Sequence, residues 1–298
     1  MSKKSEKTMA TPDLKKRTRG QQIWHQFCKN KGSVVGMAMI IILLIVGIYA
    51  QFAYDYDTDI IGMNVDSILL FPGQDGHLIG TDHMGRDMLA RLLYGAKYSI
   101  LIGVLATAIS TVIGVAIGAI AAYVGGKVET VMMRLVEILM MIPTVLLTII
   151  LVAVMGVSLN NLIWALSLSG IPFMARQVRA AVLPLKDSEF VEAAKALGVS
   201  DFMILMTHIL PNSLSPIIVQ ATIRIGVTIV SASVYSFLGL GVPSPTPEWG
   251  AMLSDARVNM RQYPFLVIYP GLAIMWTTMG FNLMGDGLRD ALDPKLKK

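Results

Sequence analysis

Residues 34–53 and 98–124 contain no Asp, Glu, Lys or Arg. Crossing a bilayer takes about 20 predominantly apolar residues in a helix, because no backbone amide can be left unpaired in hydrocarbon. Both stretches meet that length. A third uncharged block, residues 138–175, runs about 38 residues, too long for one crossing of a core about 30 Å thick. It is predicted to fold back on itself. Gly156-Val157-Ser158 and Asn160-Asn161 supply the turn chemistry and divide it into helices over roughly 130–155 and 159–175. Residues 215–238 and 263–285 make the fifth and sixth apolar helices, the fifth carrying one charge, Arg224. The expected fold class is an all-α polytopic membrane protein with six transmembrane helices.

Composition agrees. The chain is 54% hydrophobic and 15% charged, against about a quarter charged in a soluble domain. Its single Cys28 cannot form an internal disulfide. The net charge of +5 comes from residues at the N-terminus, in loops and at the C-terminus. It does not form a basic stripe interleaved with aromatics, which argues against nucleic acid as a partner. Twenty Met residues are dispersed, as packing residues are, and not grouped as soft-metal ligands.

Orientation follows from where Lys and Arg flank the spans. Lys3, Lys4, Lys7, Lys15, Lys16, Arg17, Arg19, Lys29 and Lys31 put the N-terminal tail in the cytoplasm. Six crossings return Arg289, Lys295, Lys297 and Lys298 to the same side, so both termini are expected to be cytoplasmic. The loop over 176–212, with Arg176, Arg179, Lys186 and Lys195, also falls inside. The first outer loop is acidic: Asp55, Asp57, Asp59, Asp66, Asp75, Asp82 and Asp87 stand against Arg86 and Arg91. Residues 1–32 end without a cleavage pattern and read as an uncleaved signal anchor. The organisation expected is a basic tail (1–33), a first span (34–53), an external loop with an amphipathic helix (54–97), a five-span core (98–285) containing the inner loop, and a C-terminal tail (286–298).

In the first outer loop, Thr81 or Asp82 can cap a surface helix in which Met88, Leu89, Leu92 and Leu93 share a face and Asp87 pairs with Arg91. A second outer segment is expected over 248–262, with Met252, Leu253 and Ala256 apolar. Tyr263, Phe265 and Tyr269 then mark the interface. His77 and His83 flank Asp82 but lack a defined set of further ligands, so no metal site is assigned.

The inner loop is the most informative segment. Residues 189–201 read as a short helix, a tight turn at Gly198 and a cap at Ser200 or Asp201. A second helix is expected over 202–209, before Pro211. Such a segment projects like a knuckle. Ala193, Ala194 and Ala196 let a partner's backbone approach, Phe190 and Leu197 can anchor one face in a groove, and Glu192 offers a charge to a basic partner. The alternative, a helix resting on lipid, calls for more Lys and Arg and less Glu.

Here the sequence resembles the integral-membrane permeases of ABC importers, specifically the C-type subunit of the dipeptide/oligopeptide/nickel branch. Glu192-Ala193-Ala194, followed by Gly198 and by Leu210-Pro211, is similar to the family's EAA signature, with His208 where the general signature has Ile. The blocks Gly80-Thr81-Asp82, Gly85-Arg86-Asp87, 236–241 and 285–290 also resemble that branch. The resemblance implies the type I importer permease fold and a plasma-membrane location in a bacterium or archaeon. It implies a complex with a homologous permease, two ATPase subunits and an external solute-binding protein, with ATP and Mg on the ATPases. Glu192, Ala193, Ala194, Gly198, Asp201 and Pro211 would couple to the ATPase.

A nucleotide site on this chain would need Gly-x-x-x-x-Gly-Lys-Ser/Thr. Gly125-Gly126-Lys127 fails because Ala121 and Val128 occupy the other required positions. No catalytic motif is found, so no catalytic residue is assigned. Glu137 can pair with Arg134 near the inner end of the third helix. Arg224 lies inside the fifth span, where a lipid-facing Arg costs about 2.5–3.5 kcal/mol, so it is expected to face protein or water. These two are the candidates for the translocation path. The cargo reading is di- or oligopeptide, with nickel or another metal chelate as the alternative. The competing class is an ion-coupled secondary transporter, which predicts more mid-membrane ionisable groups than Glu137 and Arg224 supply.

Overall fold

The computed structural model describes residues 18–292; most of the basic tail, including Lys3 and Arg17, and Lys295, Lys297 and Lys298 lie outside the described residues. Among the described residues every extended element is helical, and β pairing is limited to isolated bridges in the outer loop. α1 (Arg19–Lys29) opens with a capping box between Thr18 and Gln21. α2 (Lys31–Ala53) starts at Asn30, whose side chain accepts from Gly32 and Ser33. The core follows as α3 (Met88–Val124), α4 (Gly126–Met141), α5 (Thr144–Met155) and α6 (Leu159–Lys186). α7 (Glu189–Ala196) and α8 (Asp201–Ile204) form the knuckle. A π turn, Leu205–Ile209, joins α8 to α9 (Leu210–Phe237), and α10 (Trp249–Ala256) and α11 (Phe265–Leu292) complete the chain.

Among the described residues, four stretches are long and apolar enough to cross a membrane: α2, α3, the run Asp201–Phe237 and α11; α4 and α5 make a fifth if the bent pair is one span. The predicted fourth crossing lies in α6, which is not among these. Its Asn, Ser and Pro residues lower its hydropathy, and it buries Leu162, Ala165, Ser169, Met174 and Val178. A helix facing protein needs less apolar surface than one facing lipid. α6 packs chiefly along α3. The approach is close enough that a Cβ on Gly118 would stand 2.3 Å from the carbonyl oxygen of Ala175.

Several predicted boundaries are corrected. The helix expected to lie on the outer surface at Met88–Leu93 is the start of α3, which runs unbroken for 37 residues. Its cap is Asp87, not Thr81 or Asp82, because the Asp87 carboxylate accepts from Ala90 N at 2.8 Å while the Thr81 hydroxyl is bonded to Ser67 and Leu70. Nor does Asp87 pair with Arg91; it meets His77 Nδ1 at 2.6 Å.

The helix expected over 130–155 is broken, with α4 and α5 bent by 88°. Pro143 has no amide to donate and drives Ile142 into extended backbone, φ −82 and ψ 124. α6 and α11 continue past the apolar stretches, so residues 176–186 and 286–292 are helix and not loop or tail. Helical hydrogen bonding does not stop where lipid does. The second outer helix ends at Ala256, short of residue 262. Finally, the helix expected to stop before Pro211 runs through it: Leu210 N bonds to Leu205 O, five residues back, and this wider turn precedes Pro211 at the start of α9.

Candidate functional site

The knuckle is rooted on its inner face and open on its outer one. Val191, Ala194 and Ile204 are buried in an apolar cluster with Tyr123 of α3 and Met174 and Val178 of α6. Gly198 has φ +76, a conformation that favours glycine. The turn is a Schellman motif: Val199 N reaches Ala194 O at 3.1 Å and Gly198 N reaches Lys195 O at 2.9 Å.

Glu192, Ala193 and Ala196 are exposed beside Leu197, which is 83% exposed, and Phe202, which is 74% exposed. Ala194 corrects the expectation that it faces a partner, since it turns inward and is 5% exposed. Asp201 does not cap α8; its carboxylate accepts from the Tyr123 hydroxyl at 2.6 Å. Pro211 is exposed on the following turn of helix. The arrangement is a short, firmly seated projection with an apolar tip and acidic flank, suited to filling a cleft.

The two candidates for a translocation path are not brought together. Arg224, on α9, is partly buried and stacks its guanidinium 4.8 Å from the centre of the Phe173 ring on α6. Among the described residues it has no acidic partner. Glu137, on α4, is exposed and accepts from Arg134 at 3.0 Å, the pairing expected. An exposed pair of this kind contributes little to stability.

The chain matches the family model of binding-protein-dependent transport system inner membrane components over residues 114–298. Residues 18–72 match the N-terminal TM domain of oligopeptide transport permease C. The chain belongs to this permease family. It is 40% identical over 277 residues to the dipeptide transport system permease protein of Alkalihalophilus pseudofirmus, covering 93% of this chain and 90% of that one. It is 42% identical over 281 residues to the glutathione transport system permease protein of Escherichia coli, covering 94% and 92%. A solved structure of the MetNI methionine ABC transporter in an inward facing conformation matches with TM-score 0.53 at 19% identity, over 67% of this chain and 97% of that one. At that identity the likeness speaks for the fold, which is the type I importer permease fold. The permease is thus a multi-pass component of a bacterial inner membrane importer.

The end of the permease formed by residues 54–97 and α10 holds a charged cluster that the sequence did not reveal. Arg86 is 1% exposed, and its Nε donates to Asp82 Oδ2 at 2.6 Å while Nη2 lies 3.4 Å from Asp255 Oδ2 on α10. Arg91, equally buried, donates to the carbonyl oxygens of Ile60 at 2.8 Å and Pro245 at 3.2 Å. Its Nε and Nη2 stand 3.5 and 4.0 Å from Asp82 and Asp255 beside a cavity of about 10 Å³. That is room for about one water.

Close by, fully buried Glu248 caps α10 by accepting from Gly250 N at 2.9 Å and Ala251 N at 2.8 Å. Burial pushes its carboxyl above the ordinary carboxylate range, against the pull of these amides. His77 is taken by Asp87, and among the described residues no three His, Cys, Asp or Glu side chains are grouped to hold a metal.

Proposed function

We propose that the permease forms, with a homologous partner subunit, the path by which an ATP-driven importer carries di- or oligopeptides, and that α7 and α8 dock into a cleft on a separate ATPase subunit. One observation carries the docking: Leu197 and Phe202 stand 83% and 74% exposed on a projection whose base is buried. A projecting apolar tip on a fixed root fits a groove better than it fits water. The peptide assignment is supported by relatives named for a dipeptide and for glutathione, itself a tripeptide.

In this reading six crossings, α6 included, leave both termini in the cytoplasm. ATP and Mg bind two ATPase subunits and not this chain, which carries no catalysis, and an external solute-binding protein delivers the cargo. Closure of the ATPases pulls on the knuckle and selects between two arrangements of the permease halves, a switch biased by differential binding. Arg224, held over Phe173 and without an acidic partner among the described residues, is available to a cargo carboxylate.

Reconstituted vesicles containing the complex are expected to take up peptide only when ATP is on the ATPase side. In the same vesicles Arg224→Met is expected to lower uptake at sub-saturating peptide about tenfold, the worth of one charge-assisted hydrogen bond. Accumulation driven by an ion gradient without ATP contradicts the importer reading. Unchanged uptake kinetics in Arg224→Met removes that residue from the path.

A further inference from the structure

A push on the knuckle has to reach the long helices through contacts able to transmit it. The apolar cluster under α7 is non-directional, and packed methyl and methylene groups can slide. The contact between Tyr123 and Asp201 is directional. The Tyr123 hydroxyl donates to Asp201 Oδ1 at 2.6 Å, a short bond to a carboxylate whose geometry is tightly set. From the other side of the turn, Lys195 Nζ lies 5.7 Å from the centre of the same ring. One aromatic side chain therefore touches both arms of the knuckle, the last turn of α7 and the first residue of α8.

The position of Tyr123 in its own helix makes that contact consequential. It stands at the inner end of α3, immediately before the junction at which Gly125 (φ +71) and Gly126 (φ +58) reverse the chain into α4. α4 is tied in turn to α6, where Arg179 Nε donates to Glu129 Oε1 at 2.7 Å. α4 also leads into the 88° break before α5. Displacing Asp201 thus acts on the end of a 37-residue helix at the point where the backbone is built to turn.

We propose that Tyr123 is a positioning residue for coupling: through its hydroxyl on Asp201 and its ring under Lys195, it carries movement of the knuckle to the junction of α3 and α4. This rests on the docking reading above. Tyr123 is 8% exposed and lies beneath the docking face, so it acts through Asp201 and not by touching the ATPase.

The test uses the assembled complex in vesicles, with three readouts: ATPase co-purified per permease, ATP hydrolysed, and peptide taken up per ATP. Tyr123→Phe removes only the hydroxyl, and Asp201→Asn keeps the size of its partner. Tyr123→Phe is expected to capture ATPase at the wild-type level but to lower uptake per ATP about tenfold, as loss of one bond to a charged group does; Asp201→Asn, whose amide oxygen still accepts from the hydroxyl without the charge, is expected to lower uptake per ATP less. The double variant is expected to be no worse than Tyr123→Phe alone, since that change already removes the contact that Asp201→Asn only weakens.

Wild-type uptake per ATP in Tyr123→Phe, additive losses in the double variant, or losses matched by equal falls in protein abundance would overturn the relay. Gly198→Pro, measured alongside, separates this from failure of docking. If Gly198→Pro loses coupling while Tyr123→Phe does not, docking stands and the relay falls; if neither has an effect, docking itself falls.

Discussion

Gly198→Pro is expected to lower ATP-driven uptake about tenfold or more while leaving the permease in the membrane at wild-type abundance. Proline holds φ near −65°, whereas residue 198 sits at +76°. It also has no amide, so the 2.9 Å bond from Gly198 N to Lys195 O is lost and the Schellman turn cannot close. One lost hydrogen bond and one forced backbone conformation together exceed about 1.4 kcal/mol, a factor of ten in an equilibrium between knuckle conformations.

Insertion is spared because the change falls in an exposed turn, and a Cβ built at Gly198 meets nothing within 4 Å. The harm comes from φ and not from crowding. Gly198→Ala, which meets only the φ penalty, is expected to lose less. Glu192→Lys, on the exposed face of α7, should lose uptake without disturbing the turn. Uptake per ATP measured beside membrane abundance checks all three, and normal coupling in both Gly198→Pro and Glu192→Lys would count against docking at this site.

The second large effect is on stability. Arg86→Ala is expected to destabilise the permease by about 3–5 kcal/mol, because it removes the nearer guanidinium from buried Asp82 and leaves only Arg91, at 3.5 Å. The loss should appear as a lower melting temperature in detergent and reduced abundance in membranes. Arg86→Met combined with Asp82→Leu is expected not to regain that stability, since it leaves buried Arg91 with only Asp255, at 4.0 Å, as a carboxylate neighbour. A single Arg86→Ala variant as stable as the wild type would mean that water reaches the cluster and screens Asp82.

What the sequence disclosed, and what it hid, divide along physical lines. The uncharged runs at 34–53 and 98–124 were legible because lipid demands them, and α2 and α3 contain them. The turns at Gly125, Gly156 and Gly198 were legible because each has positive φ, which glycine adopts without strain. Helix ends were less so: hydropathy marks the slab of lipid, while α6 carries Arg176, Arg179 and Lys186 on further helical turns. The break at Ile142-Pro143 was hidden inside a run whose apolarity suggested one crossing.

At the candidate site, the turn and the exposure of Glu192 followed from local chemistry. The inward face of Ala194 and the bond from Tyr123 to Asp201 depend on how α3 and α6 pack, which no local pattern encodes. The same holds for Arg86 and Arg91, whose partner Asp255 lies on α10, far away in sequence. In isolation those residues read as an ordinary charged loop.

The most direct measurement is a disulfide-length crosslink from the tip of the knuckle. With the exposed native thiol removed as Cys28→Ser, Leu197→Cys should crosslink to the ATPase subunit in membranes, in a yield that changes when nucleotide is added. If residue 197 instead reacts with a membrane-impermeant maleimide applied outside intact cells, and no ATPase is captured, the knuckle is not where the motor engages.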